Sequence, residues 1–139
     1  MEDILNESLQ QELDILGEHC STLYQHLLKW RYNPGKRTSS WTKAVSKSVL
    51  NIRKSKHYIR RTNSFDGNAT NYFNENLYKL YKKGKEDAIK EGNIIPDTDD
   101  SFGQLHSIDK LIDLDYLKYW MCQYIDDMKE KGYVASMIL

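Results

Sequence analysis

Apolar residues recur at intervals of three and four throughout the first thirty residues of the chain. This spacing places them on one side of an α-helix, because residues three and four positions apart are neighbours on a helical surface. Gly17 falls inside the stretch at a cost of about 1 kcal/mol, which packing can offset or which lets a neighbouring element approach closely. The sequence therefore predicts a long first helix whose buried stripe consists of Leu5, Leu9, Leu13, Leu16, Cys20, Leu23, Leu27 and Trp30.

The remaining helices are predicted from turn signals and from the same periodicity. The segment Asn33-Pro34-Gly35 ends the first helix, since proline cannot continue a helix and glycine accepts turn dihedral angles. Ser39 and Ser40 are good N-cap residues for the next helix. No alternating strand pattern of useful length is present. We therefore predict an all-α fold, a bundle of about four main helices in a single domain of residues 1–139, with helices over about residues 3–31, 40–61, 70–91, 107–113 (short) and 114–131.

The charges of the chain are segregated although they sum to zero. Residues 31–61 hold ten Lys or Arg and no Asp or Glu, residues 1–30 hold six acids and one lysine, and residues 97–130 hold nine acids and three lysines. Two interpretations are open. The basic segment attracts an external partner, or acidic and basic helices pack side by side and neutralise each other locally.

Motif content argues against most kinds of cofactor chemistry. The chain has neither a glycine-rich nucleotide-binding motif nor a strand to precede one. Its four histidines and two cysteines lack the spacing of a zinc site. Cys20 and Cys122 are distant and have no CxxC context, which favours a reducing cytoplasmic setting. No apolar run is long enough to span a membrane. The sequence therefore predicts a cytoplasmic protein with no metal, no cofactor and no membrane association.

The basic segment supplies the candidate binding residues. Its cations could neutralise several phosphates of a nucleic acid. Trp30, Tyr32 and Trp41 are candidate stacking surfaces, although both tryptophans also fall on apolar helix faces, where burial in the core is the alternative. The predicted binding patch consists of Arg31, Lys36, Arg37, Lys43, Lys47, Arg53, Lys54 and Arg60.

Arg53 and His57 are the catalytic candidates, as the arginine–histidine centre of a small helical toxin nuclease. They are four residues apart on a predicted helix, close enough to act on one phosphate. The same pairing also arises by chance in a helix rich in lysine and arginine, where both residues would belong to a solvated basic face.

The stretch HLLKWRYNPGKRTSSW, residues 26–41, resembles the bacterial helical family catalogued as domain of unknown function 29. In that family a His-Leu-Leu-Lys-Trp helix end is followed by a Tyr-x-Pro turn and by a Ser-Trp pair that opens the next helix. The resemblance implies an α-helical fold and a cytosolic bacterial setting, and it supplies no activity. The chain departs from the family pattern by starting close to its first long helix and by adding residues 117–139. The matching residues are His26, Leu27, Leu28, Lys29, Trp30, Tyr32, Pro34, Arg37, Ser40 and Trp41.

Three functions are consistent with these features. The first is a small non-enzymatic helical protein that acts through protein–protein contacts, including self-association as a homodimer. It rests on a leucine-rich and aromatic-rich chain without an assembled catalytic set. The second is a nucleic-acid or phosphate-binding protein that uses residues 31–61. The third is a toxin-type nuclease centred on Arg53 and His57. The sequence favours the first and leans against an enzyme.

Overall fold

Three long helices form the body of the fold. The computed structural model describes residues 2–62, 67–92, 94 and 100–137. Short 3₁₀ helices at Pro34–Lys36 and Asp100–Leu105 lie in the connections. No strand occurs among the described residues, so the predicted all-α helical bundle is confirmed. The helices are α1 (Glu2–Tyr32), α2 (Ser39–Thr62), α3 (Asn68–Gly92), α4 (Ile108–Leu111), α5 (Leu114–Cys122) and α6 (Met128–Ala135).

α1 packs against both α2 and α3, and its predicted stripe faces the core. Leu9 is half-buried, and the side chain of Leu5 lies outside the described part of the chain. Tyr24 and Leu28 are also fully buried, so the apolar face is wider than the stripe predicted from spacing. The extra width follows from α1 having a long helix on each of two sides. The buried stripe residues are Leu13, Leu16, Cys20, Leu23, Leu27 and Trp30.

Two glycines allow α1 and α3 to approach closely. A Cβ atom added to Gly84 of α3 would lie 2.6 Å from the backbone oxygen of Ser21 and 2.8 Å from Cβ of Tyr24. At Gly17 of α1 the added atom would lie 2.8 Å from the Tyr72 hydroxyl. The close approach expected at Gly17 is therefore present. At Gly84 the nearest atom belongs to the backbone of α1.

The last helix predicted over residues 114–131 is in fact two helices. The Asp127 carboxylate accepts hydrogen bonds from the backbone N–H groups of Lys129 (2.7 Å) and Glu130 (3.2 Å), and so caps a new helix, α6. The helical spacing of apolar residues at Leu117, Met121, Tyr124, Ile125 and Met128 predicts one inner face, yet Met128 is 79% exposed. The break lets Ile125 and the C-terminal apolar residues Val134 and Met137 all reach the core.

The other predicted helix bounds shift by at most two residues. α2 begins at Ser39, so Thr38 rather than Ser39 or Ser40 precedes it. The Trp41 backbone N–H donates to the Thr38 carbonyl oxygen at 3.1 Å. Asp113 caps α5 by accepting from the Tyr116 backbone N–H at 3.1 Å.

Candidate functional site

α2 carries much of the basic segment on the side that faces away from the core. Val45 and Val49 are buried, whereas Lys43, Lys47 and Lys54 are exposed. We call these three lysines the lysine ridge. It extends about 16 Å along the helix, because each residue rises by about 1.5 Å. Within the described residues none of the three has an ion-pair partner. The ridge is therefore a line of positive charge that faces solvent.

A second basic feature lies on another flank of α2, beside the junction of α4 and α5. A depression of about 200 Å³ is bordered there by Arg53, Lys56, His57, Arg60 and Ile112. The Arg53 guanidinium donates from Nε (2.9 Å) and from Nη2 to the carbonyl oxygen of Ile112. The pair Arg53 and His57, suggested by the sequence as a nuclease centre, thus borders one depression. Its catalytic role stays a prediction.

Among the described residues, ion pairs between elements involve at least two of the cations in residues 31–61. Lys56 and Arg37 each have an acidic partner from the C-terminal third of the chain. These ion pairs do not include the three ridge lysines, although Glu12 borders the same depression as Lys54. The pairs that join different elements include Lys29 with Glu91 (3.4 Å), Arg37 with Glu130 (3.2 Å) and Lys56 with Asp109 (3.1 Å).

Of the two placements considered for the tryptophans, stacking surface or core, the core placement applies to Trp30. Trp30 is fully buried, and Trp41 and Tyr32 are half-buried. Tyr58, which the prediction omitted, is 51% exposed and borders a shallow depression together with Lys54 of the ridge. Its spacing of four residues from Lys54 was the available signal, since such neighbours share a helical face.

Cys20 is buried in the core, and His26 is half-buried. Burial raises the pKa of the Cys20 thiol to about 12, which keeps it protonated and unreactive. Burial is also the main cause that lowers the pKa of His26, with a further contribution from Lys29. Among the described residues, no group of three His, Cys, Asp or Glu side chains is arranged to hold a metal ion. None of the described helices combines the length and apolar character needed to cross a bilayer.

A family model described as Domain of unknown function DUF29 matches residues 2–117 of the chain. The chain belongs to this family. The resemblance inferred from residues 26–41 is thereby confirmed. No curated protein and no solved structure matches the chain.

The DUF29 motif forms the corner between α1 and α2, and Arg37 is buried at its centre. The Arg37 guanidinium donates from Nε to the Trp30 carbonyl oxygen (2.7 Å) and from Nη2 to that of Arg31 (3.4 Å). Its Nη1 donates to the Tyr124 carbonyl oxygen and to the Glu130 carboxylate, both at 3.2 Å. Arg37, predicted to be part of a binding patch, thus satisfies carbonyl groups at the C-terminal end of α1 and links them to the C-terminal region.

Two further cations of the DUF29 corner have different environments. Arg31 is half-buried, with its guanidinium carbon 4.0 Å from the centre of the Tyr124 ring, in a cation–π contact. Lys36 is exposed. Glu130 and the Tyr124 carbonyl both lie beyond residue 117, where the family match ends. The segment outside the match therefore completes the hydrogen bonds of a residue inside it.

Proposed function

We propose that this DUF29 protein acts by binding rather than by catalysis, and that its partner is a single-stranded nucleic acid bound along the lysine ridge. The supporting observation is the ridge itself, three exposed lysines without ion-pair partners among the described residues. No acidic residue occurs anywhere in residues 31–61. A line of cations along one helix follows a phosphate backbone and gains affinity through release of condensed counterions.

An aromatic side chain favours a single strand over a duplex. Tyr58 is 51% exposed and borders the same depression as Lys54, so its ring lies beside the end of the ridge. Stacking of an unpaired base on an exposed ring contributes about 1–3 kcal/mol and requires no particular base. Because the net charge of the chain is zero, attraction depends on the local field of the ridge and is expected to be strongly screened by salt.

Replacing Lys43, Lys47 and Lys54 together with glutamine is expected to weaken binding of labelled single-stranded DNA or RNA by at least about tenfold at low salt. The slope of log affinity against log salt should fall by about 2, since about three phosphate contacts are lost. Fluorescence anisotropy at several salt concentrations measures both quantities.

A matched control removes the same charge from another helix. Lys79, Lys83 and Lys90 are exposed on α3, and their triple replacement with glutamine should change affinity by less than about threefold. Equal weakening by the two triple variants would show that only total charge matters. Absence of binding by the unmodified protein at tens of micromolar and low salt would refute the proposed function.

Self-association is a second candidate function, favoured by the outer face of α3. Tyr78 is 78% exposed and Ile89 is 41% exposed. Together with Lys85 and Glu86 they border a depression of about 310 Å³. A two-fold dimer places the same patch on both subunits, so Lys85 of one copy can face Glu86 of the other. This patch therefore supports the protein-contact function in the form of a homodimer.

Analytical ultracentrifugation across micromolar concentrations tests self-association. We expect a monomer–dimer equilibrium that Tyr78→Ser shifts toward monomer by at least about fivefold, because a large exposed apolar side chain is removed from the contact. Tyr119→Ser is the control, since Tyr119 is 63% exposed on α5 and lies outside the patch. A strict monomer over the whole range would exclude this second function.

A further inference from the structure

The depression beside the α4–α5 junction differs from the lysine ridge in shape and in chemistry. Its border brings Arg53, Lys56, His57 and Arg60 from successive turns of α2 together with Ile112, which lies between α4 and α5. Together the side chains border a single volume of about 200 Å³. Several nitrogen donors around one small volume are suited to one compact anion.

Arg53 is held in a fixed orientation at this depression. Its Nε and Nη2 groups both donate to the carbonyl oxygen of Ile112, which fixes the plane of the guanidinium. Within the described residues its Nη1 group makes no hydrogen bond, so two N–H donors remain on that nitrogen. An arginine that is already oriented loses less side-chain entropy when it binds an oxyanion.

Two cations at the depression remain available to an anion. Asp109 accepts a hydrogen bond from Lys56 at 3.1 Å, and the Asp109 side chain is 77% exposed. An ion pair this exposed contributes only about 0–1 kcal/mol, so an arriving anion can compete for Lys56. Among the described residues Arg53 has no ion-pair partner, so its positive charge is not neutralised by a neighbouring carboxylate.

We propose that this depression is a binding site for a phosphate group, distinct from the lysine ridge. A phosphate offers three strong acceptor oxygens and a charge of about −1.5 to −2, which matches convergent arginine, lysine and histidine donors. Arg53 Nη1 and the side chains of Lys56, His57 and Arg60 supply the donors. The phosphate comes either from a free phosphate or small phosphate ester, or from the terminal phosphate of a nucleic acid.

Titration with sodium phosphate and with pyrophosphate, monitored by amide chemical shifts of the full chain, tests the site. Sodium chloride at matched ionic strength is the reference. We expect saturable shifts confined to residues 53–60 and 112–113, and Arg60→Gln should weaken phosphate binding by at least about fivefold. Arg61→Gln removes an exposed charge from the adjacent position outside the depression, and it should change affinity by less than about twofold.

A second variant separates orientation from charge. Arg53→Lys keeps the charge but cannot place two donors on Ile112 and two on the ligand, so it should weaken binding by at least about threefold. Retention of unmodified affinity by both Arg60→Gln and Arg53→Lys would overturn the proposal. So would shifts that never saturate, or equal weakening by Arg60→Gln and Arg61→Gln.

The phosphate site and the proposed nucleic-acid function can fail separately. The triple variant of Lys43, Lys47 and Lys54 should bind phosphate as the unmodified protein does, because the ridge lies outside the depression. Loss of phosphate binding in that variant would contradict a separate site. Tighter binding of a terminally phosphorylated oligonucleotide than of its unphosphorylated form, abolished by Arg60→Gln, would assign the phosphate to nucleic acid. Equal binding of both forms, with retained phosphate binding, would assign it to a small phosphate ligand.

Discussion

Replacing Gly84 with alanine is expected to lower the free energy of unfolding by about 3 kcal/mol. On an isolated helix the same change would be favourable by about 1 kcal/mol, because alanine has the higher helix propensity. In the folded chain, however, the new Cβ would lie 2.6 Å from the Ser21 backbone oxygen and 2.8 Å from the Tyr24 Cβ. A backbone atom cannot move aside as a flexible side chain can, so α1 and α3 must separate along their contact. Thermal unfolding followed by circular dichroism should show a fall in Tm of about 10 °C.

Gly132→Ala is the matched control for this substitution. Gly132 lies in α6, and a Cβ atom added there would have no neighbour within 4 Å. Its replacement should therefore leave stability unchanged or raise it by up to about 1 kcal/mol. Equal stability of Gly84→Ala and the unmodified chain would mean that α1 and α3 do not approach as closely as described.

Replacing Arg37 with alanine should cost about 3 kcal/mol of unfolding free energy. The guanidinium donates to three backbone carbonyl groups and to the Glu130 carboxylate, and the side chain of Arg37 is only 2% exposed. Its removal leaves these acceptors without their donor and opens space against the Trp30 ring, whose centre is 5.0 Å from the guanidinium carbon. Urea unfolding followed by tryptophan fluorescence measures the loss.

Two companion variants identify the cause of that loss. Lys36→Ala removes the neighbouring, exposed cation and should change stability by less than about 0.5 kcal/mol. Arg37→Lys keeps the charge but lacks the planar set of donors, so it should recover less than half of the loss. If lysine restored full stability, charge alone would account for the role of Arg37, and the hydrogen-bond geometry would be irrelevant.

The helices that could be predicted from the sequence are those whose signals are local. The leucine stripe of α1 and the Pro34-Gly35 turn depend on neighbours within a few residues, and both are present in the fold. The break before α6 was missed because the helical spacing of apolar residues continues through Met128. The Asp127 cap stabilises a new helix start, which competes with continuation of α5. The break is favoured because it allows Val134 and Met137 to be buried in the core.

The residues of the candidate site likewise include some that local sequence patterns predict and some that they do not. The exposure of Lys43, Lys47 and Lys54 could be predicted, because helical periodicity alone places them opposite the buried valines. Ile112, at the border of the depression beside the α4–α5 junction, was missed, since that depression exists only where α2 meets the junction. No local pattern relates residues separated by more than fifty positions.

By itself the sequence determined the all-α class, the long helices and the basic character of α2, because helix periodicity and charge composition are properties of short segments. Only the tertiary structure decided what each cation does. Lys36 and Arg37 are adjacent and chemically alike, yet one is exposed and the other is buried. The difference arises because the C-terminal region brings the Tyr124 carbonyl and Glu130 to the corner, and burial of a guanidinium is tolerated only where such acceptors surround it.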